Sequence, residues 1–310
     1  MIYALTEVVL PVFSVVVAGY LSRKARFFTN AEIQALLRFA QTVAIPLFLF
    51  VTMLNLDIGA VFNWKLLASF YFGSIGCFVV GFMVFKLLLH VPNLESIALS
   101  FCILFSNAVL LGLPITELAY GSNHLGPNLA IIAINAPICY LIGISSMEIL
   151  GGTKIQFKEI CSNILSTLLS NPIAVSIIIG VFFNLFEVTL FEPIQSSLSL
   201  LSKGAIPLAL FGLGGTLVKY KIAKDLNKLA VVLVLSLLIH PVSTYYLGVN
   251  IFLLQTAEIR SATITAAMAP GINAFIFANL YKKEMELAAS SILIGTPISI
   301  FLTIAWISII

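Results

Sequence analysis

Two apolar stretches contain residues that a plain membrane-spanning helix has little use for. In the first, Phe101 to Gly121, the run Ser106-Asn107-Ala108-Val109-Leu110-Leu111-Gly112-Leu113-Pro114 combines an amide, a glycine and a proline. The second, Thr265 to Tyr281, does the same around Pro270-Gly271-Ile272-Asn273. Proline has no N–H for the i→i−4 bond and glycine lowers helix propensity, so both stretches are expected to break. In hydrocarbon a break survives only where it is buried in protein or lines a cavity. The chemistry available at such a place is anion binding. A restarting half-helix presents free N–H groups and its positive dipole end to mid-membrane, and Pro114 suits the first turn of one. Asn107 and Asn273 add amides that donate to a carboxylate and accept from backbone. Two facing half-helix starts make a compact anion site without a buried cation. The substrate-binding candidates are therefore Asn107, Gly112, Pro114, Pro270, Gly271 and Asn273. The alternative is a proline-kinked helix whose amides only satisfy neighbouring carbonyls.

Other polar or helix-breaking residues inside apolar runs are secondary candidates. Pro46 and Pro207 sit in the segments AIPLFLF and AIPLALF, either as kinks alone or as kinks that open space for a ligand. Lys203 and Arg38 could attract an anion or snorkel to the interface. Asn135 beside Pro137, and Thr296 beside Pro297, suit helix–helix hydrogen bonds. His240, next to Pro241, is a proton-coupling candidate, since histidine titrates near neutrality. No apolar run has an acidic residue at its centre, which argues against a sodium site of paired carboxylates. No hydrolase elbow, P-loop, metal-binding HExxH or intramembrane aspartate pair occurs, so no enzyme activity, cofactor or metal is expected. Gly212, Gly214 and Gly215 read as a helix-packing surface rather than a phosphate loop. The four cysteines, Cys77, Cys102, Cys139 and Cys161, have no metal-ligand spacing and read as small apolar fillers.

The elements that must hold these residues follow from composition. The chain has 310 residues, 60% hydrophobic and 9% charged, against roughly 25% charged in soluble domains. That excludes a soluble fold and implies an all-α polytopic membrane protein. The first run carries no positively charged start or cleavage signal and reads as a retained span. Windows of about twenty apolar residues give ten spans: about 2–22, 31–54, 65–89, 94–120, 126–149, 164–186, 198–218, 226–254, 258–281 and 286–309. Of the 16 Lys and Arg residues, 12 fall in the loops after spans 1, 3, 5, 7 and 9 or at the span ends that border them. Those loops are then cytoplasmic and both termini lie outside.

The two halves resemble each other. Ala44 to Phe50 matches Ala205 to Phe211 at six of seven positions with an offset of 161, which also takes Pro11 to Pro172 and Gly19 to Gly180. It carries the centre of the first break onto the second. Five spans per half is an odd number, so residues 1–150 and 151–310 are expected as two inverted five-helix repeats, with broken spans 4 and 9. Inverted repeats supply two alternative packings, the usual basis of alternating access.

The NAVLLGLPI and MAPGINAFIFANLY segments, with the ten spans and paired prolines, resemble the auxin efflux carrier family over almost the whole chain. The resemblance implies the crossed-helix fold shared with bile-acid and sodium/proton carriers. Spans 1, 2, 6 and 7 would form a scaffold, and spans 3–5 and 8–10 a transport domain that moves as an elevator. The implied substrates are small organic anions, mono- or dicarboxylates or auxin-like molecules, with Asn107 at the position of the family's substrate-binding asparagine. The long cytoplasmic loop of the plant members is missing, which points to a compact prokaryotic member in the cytoplasmic membrane. Expected partners are the anion, protons, the lipid bilayer and a second copy of the chain, with no nucleic acid. The competing classes are an anion channel and a non-transporting sensor or assembly protein.

Overall fold

A computed structural model describes residues 4–54, 56, 63–151 and 171–310. Lys154, Lys158, Cys161 and the first residues of the expected span 164–186 lie outside them. The described residues are helical, apart from a single antiparallel bridge between Ser106 and Pro270. Among the described residues seven helices are long and apolar enough to cross a membrane: Thr6–Lys24 (α1), Asn30–Leu54 (α2), Trp64–Leu88 (α3), Gly126–Gly151 (α6), Glu192–Leu217 (α8), Leu226–Ile251 (α9) and Met285–Ile309 (α12). Shorter helices fill the remaining regions: Asn93–Leu104 (α4), Ala108–Tyr120 (α5), Pro172–Leu185 (α7), Thr256–Ala266 (α10) and Ile272–Tyr281 (α11).

Helix starts are locally encoded. Thr29 and Glu32 form a reciprocal capping box at α2, and Asn171 accepts from the Ile173 N–H at α7, with Pro172 in the first turn. Three of the mid-helix prolines follow wide turns. The N–H groups of Ile45, Leu113 and His240 donate five residues back, to the carbonyls of Ala40, Ala108 and Leu235. Pro46, Pro114 and Pro241 follow immediately. A proline ring normally presses on the carbonyl four residues earlier, and the widened turn gives that carbonyl room.

Two groups of helices pack among themselves. α1, α2, α7 and α8 form one; α3, α4, α6 and α9–α12 form the other. In the first group backbones touch at glycine. A methyl on Gly19 would strike the Phe211 carbonyl oxygen, and one on Gly180 would sit 2.7 Å from Met53 Cβ and 3.1 Å from the Phe50 oxygen. Gly212, Gly214 and Gly215 of α8 press likewise on Leu37, Val16 and Ile33. In the second group Phe101 of α4 and Phe277 of α11 stack with ring centroids 3.8 Å apart. Large apolar side chains such as Phe72, Val79, Val80 and Met83 on α3 stay exposed, as a lipid-facing surface requires.

Candidate functional site

The site is built where α4 and α10 end and α5 and α11 begin. α4 stops at Leu104, Phe105 to Asn107 leave helical geometry, and helix resumes at Ala108. α10 stops at Ala266, and α11 starts at Ile272. The two linking segments run antiparallel. The Asn107 N–H donates to the Ala269 carbonyl and the Gly271 N–H to the Phe105 carbonyl, both at 2.8 Å. This satisfies backbone groups that would otherwise be stranded in the interior.

Asn107 caps α5. Its Oδ1 accepts from the Leu110 N–H at 3.2 Å, and its carbonyl accepts from Leu111 and Gly112. The side chain is 5% exposed, and its Nδ2 has no hydrogen-bond partner. The neighbouring Ser106 Oγ is equally buried and unpartnered. Half-helix α5 thus starts six residues before Pro114, because the wide turn 108–112 carries the helix into the proline instead of restarting at it.

A cavity of about 70 Å³ opens at this point, room for a few waters or a compact ligand. Ser106, Asn107, Val109, Gly271, Ile272 and Asn273 line one side. The amides of Val109, Ile272 and Asn273 are first-turn donors and make no backbone hydrogen bond among the described residues. Both helix dipoles present their positive ends here. Asn135 and Ala136 of α6, Gln41 of α2, and Asn171 and Ile173 at the start of α7 also line it. Among the described residues no lysine, arginine, aspartate or glutamate lines it. The chemistry is therefore neutral amides and oriented backbone N–H groups around apolar walls, which suits a small anion.

The family model of the membrane transport proteins matches residues 4–307, nearly the whole chain. The chain belongs to this family, the auxin efflux carriers of the sequence resemblance. A relative named "Putative malonate transporter" in Rhizobium meliloti (strain 1021) is 24% identical over 303 residues, covering 96% of this chain and 92% of its own. Family membership and the apolar helices together make the chain a multi-pass membrane protein with a small-molecule substrate.

The remaining candidates of this auxin efflux carrier family member are distributed around the cavity and away from it. Gly112 is buried against α10, where a methyl would lie 3.5 Å from Met268 and 3.7 Å from Thr265. Pro114 is buried in α5, and Pro270 forms the bridge to Ser106; neither lines the cavity. Asn135 does, while its Oδ1 accepts from Tyr71 and from Cys139, each at 3.5 Å. Thr296 donates back to Ile292 within α12. Pro46 is buried in α2, one turn beyond Gln41, and Pro207 is exposed on α8. Lys203 is exposed and borders a separate open groove with Val51 and Glu192. Arg38 is exposed, and its carbonyl accepts from Thr42. His240 is fully buried in α9, edge-on to Phe70 at 5.1 Å between ring centroids, and neither ring nitrogen has a partner.

Three polar residues of the lining are absent from the sequence candidates: Gln41, Ser106 and Asn171. Asn171-Pro172 is a helix-start signal that could have been noticed. Gln41 is a lone amide in an apolar run, and Ser106 adjoins a residue that was selected.

Proposed function

We propose that this protein is a secondary transporter of small organic anions, with short dicarboxylates such as malonate foremost. It acts as a carrier rather than a catalyst. The observation that carries this reading is the pairing of two helix starts around a cavity that holds the unpartnered Asn107 amide. The relative's name adds malonate as the first compound to try.

The finer architecture belongs to the same proposal. Ten spans form two inverted repeats, 1–150 and 151–310, in which α4–α5 and α10–α11 are the broken crossing spans. One exchanged contact supports it: Gly19 meets Phe211, and Gly180 meets Phe50, the same pair shifted by 161 in both members. The dense packing of α1, α2, α7 and α8 on one another supports a scaffold from spans 1, 2, 6 and 7 and an elevator-like transport domain. The chain would sit in the cytoplasmic membrane with both termini outside, as its basic loops suggest.

The test is uptake by sealed proteoliposomes of labelled mono- and dicarboxylates. Saturable uptake accelerated by internal substrate is the expected result. Currents that do not saturate would establish a channel instead.

A further inference from the structure

The cavity has a second polar wall that the helix starts do not supply. Gln41 lies in the wide turn 40–44 of α2, and Asn171 caps α7. Both line the cavity, and both come from α2 and α7, outside the crossing segments. The Gln41 side chain makes no hydrogen bond to any described residue. Asn171 uses only its Oδ1, at 3.0 Å from the Ile173 N–H, which leaves its Nδ2 donor uncommitted among the described residues. Between the two walls lie apolar groups: Phe105, Val109, Ile132 and Ile173. A ligand matching this order has an anionic group at each end and a short hydrocarbon middle.

We infer that Gln41 and Asn171 form a second carboxylate-binding arm that makes the protein select short dicarboxylates over monocarboxylates of equal length. This deepens the anion-carrier reading and rests on it. One carboxylate meets Asn107, Ser106 and the free amides of Val109, Ile272 and Asn273. The other meets the carboxamide N–H groups of Gln41 and Asn171, and the intervening methylene or methylenes pack on the apolar walls. A monocarboxylate leaves the second arm without an acceptor, and a site built to bond a group discriminates strongly against the analogue that lacks it. No charge is needed on the second arm, because two amides bond a carboxylate without the desolvation cost of a lysine.

The arm also has a consequence for the transport cycle. Because it belongs to the other helix group, its two bonds form only when the crossing stands opposite α2 and α7. Movement of one group against the other would release them while the first carboxylate stays held.

The experiment measures equilibrium binding of malonate and propionate, both three-carbon acids, to the purified full chain. The variants are Gln41→Met, which keeps length without an amide, and Asn171→Ser, which keeps a capping oxygen. Asn107→Ala serves as the control for the first wall. The ratio of the two affinities is the readout, since it does not depend on the fraction of folded protein. Wild type should favour malonate, and each arm variant should lower malonate affinity about tenfold while leaving propionate unchanged. A wild type without preference, or arm variants that keep the wild-type ratio, overturns the second arm. If Asn107→Ala still weakens both ligands in that case, the crossing site itself stands. If Asn107→Ala also leaves both unchanged, the site lies elsewhere and both readings fall.

Discussion

Asn107, a residue of the cavity lining, uses its oxygen to cap α5 and its backbone to bridge α10–α11, which leaves its two amide hydrogens without a partner among the described residues. Its replacement by alanine removes one or two bonds to a charged ligand, each worth about 1.5–3 kcal/mol where water is excluded. Binding of malonate should weaken about ten- to a hundredfold, read by equilibrium titration. The cap is lost as well, at about 1 kcal/mol of stability, so thermal unfolding should be followed in parallel. His240 differs in kind, since it is buried away from the cavity lining with both nitrogens unpartnered. If it carries a proton, His240→Gln should abolish accumulation driven by a pH gradient and spare exchange at equal pH. Full proton-driven uptake in that variant would return His240 to packing against Phe70.

At the scale of elements, the wide turns before Pro46, Pro114 and Pro241 decide which way side chains point. A wide turn inserts one residue, about 100° of rotation, between the helix on either side. Pro114→Ala lets residues 108–113 relax to ordinary helical bonding and turns the α5 start away from the cavity. Malonate affinity should fall although Asn107 is intact, and the variant should remain folded in a thermal melt. Gly19→Ala has the opposite profile. Its methyl meets the Phe211 carbonyl, a rigid neighbour, and overpacking of this kind costs about 1–3 kcal/mol. Thermal stability should drop, with ligand affinity in the folded fraction unchanged.

These elements also show what the residues alone could disclose. Apolar runs such as Trp64–Leu88 are legible because lipid demands some twenty uncharged residues in a row. The need for an interruption near Asn107 was legible from Pro114 and Gly112, but its position was not. The helix starts at Ala108 because the Asn107 cap and a five-residue bond carry it into the proline, a turn width that Gly112 and Pro114 alone do not announce. Gln41 and Asn171 stand 130 residues apart, and only the packing of α7 beside the wide turn of α2 brings them to one cavity.

For the molecule as a whole, one contact between the two helix groups lies at the end of α8. Tyr220, just beyond α8, meets Phe275 of α11 with ring centroids 5.4 Å apart, and Lys219 Nζ lies 5.4 Å over the Tyr220 ring. The elevator proposal requires this contact to break in each cycle. Cysteines at 220 and 275, in a cysteine-free background, joined by a short bifunctional thiol reagent, should stop counterflow and leave malonate binding intact. Undiminished counterflow in the joined protein would show that the two groups do not move apart there.

The bridge at the crossing is made wholly from main-chain atoms: Asn107 N–H to Ala269, and Gly271 N–H to Phe105. No side chain is needed to hold the two segments in register. The identities at Ser106, Ile272 and Asn273 are therefore free to answer to the ligand, while position 107 must also keep an oxygen that caps α5. A lineage can exchange one cargo for another by single replacements on the cavity wall, while the frame that presents them survives every change.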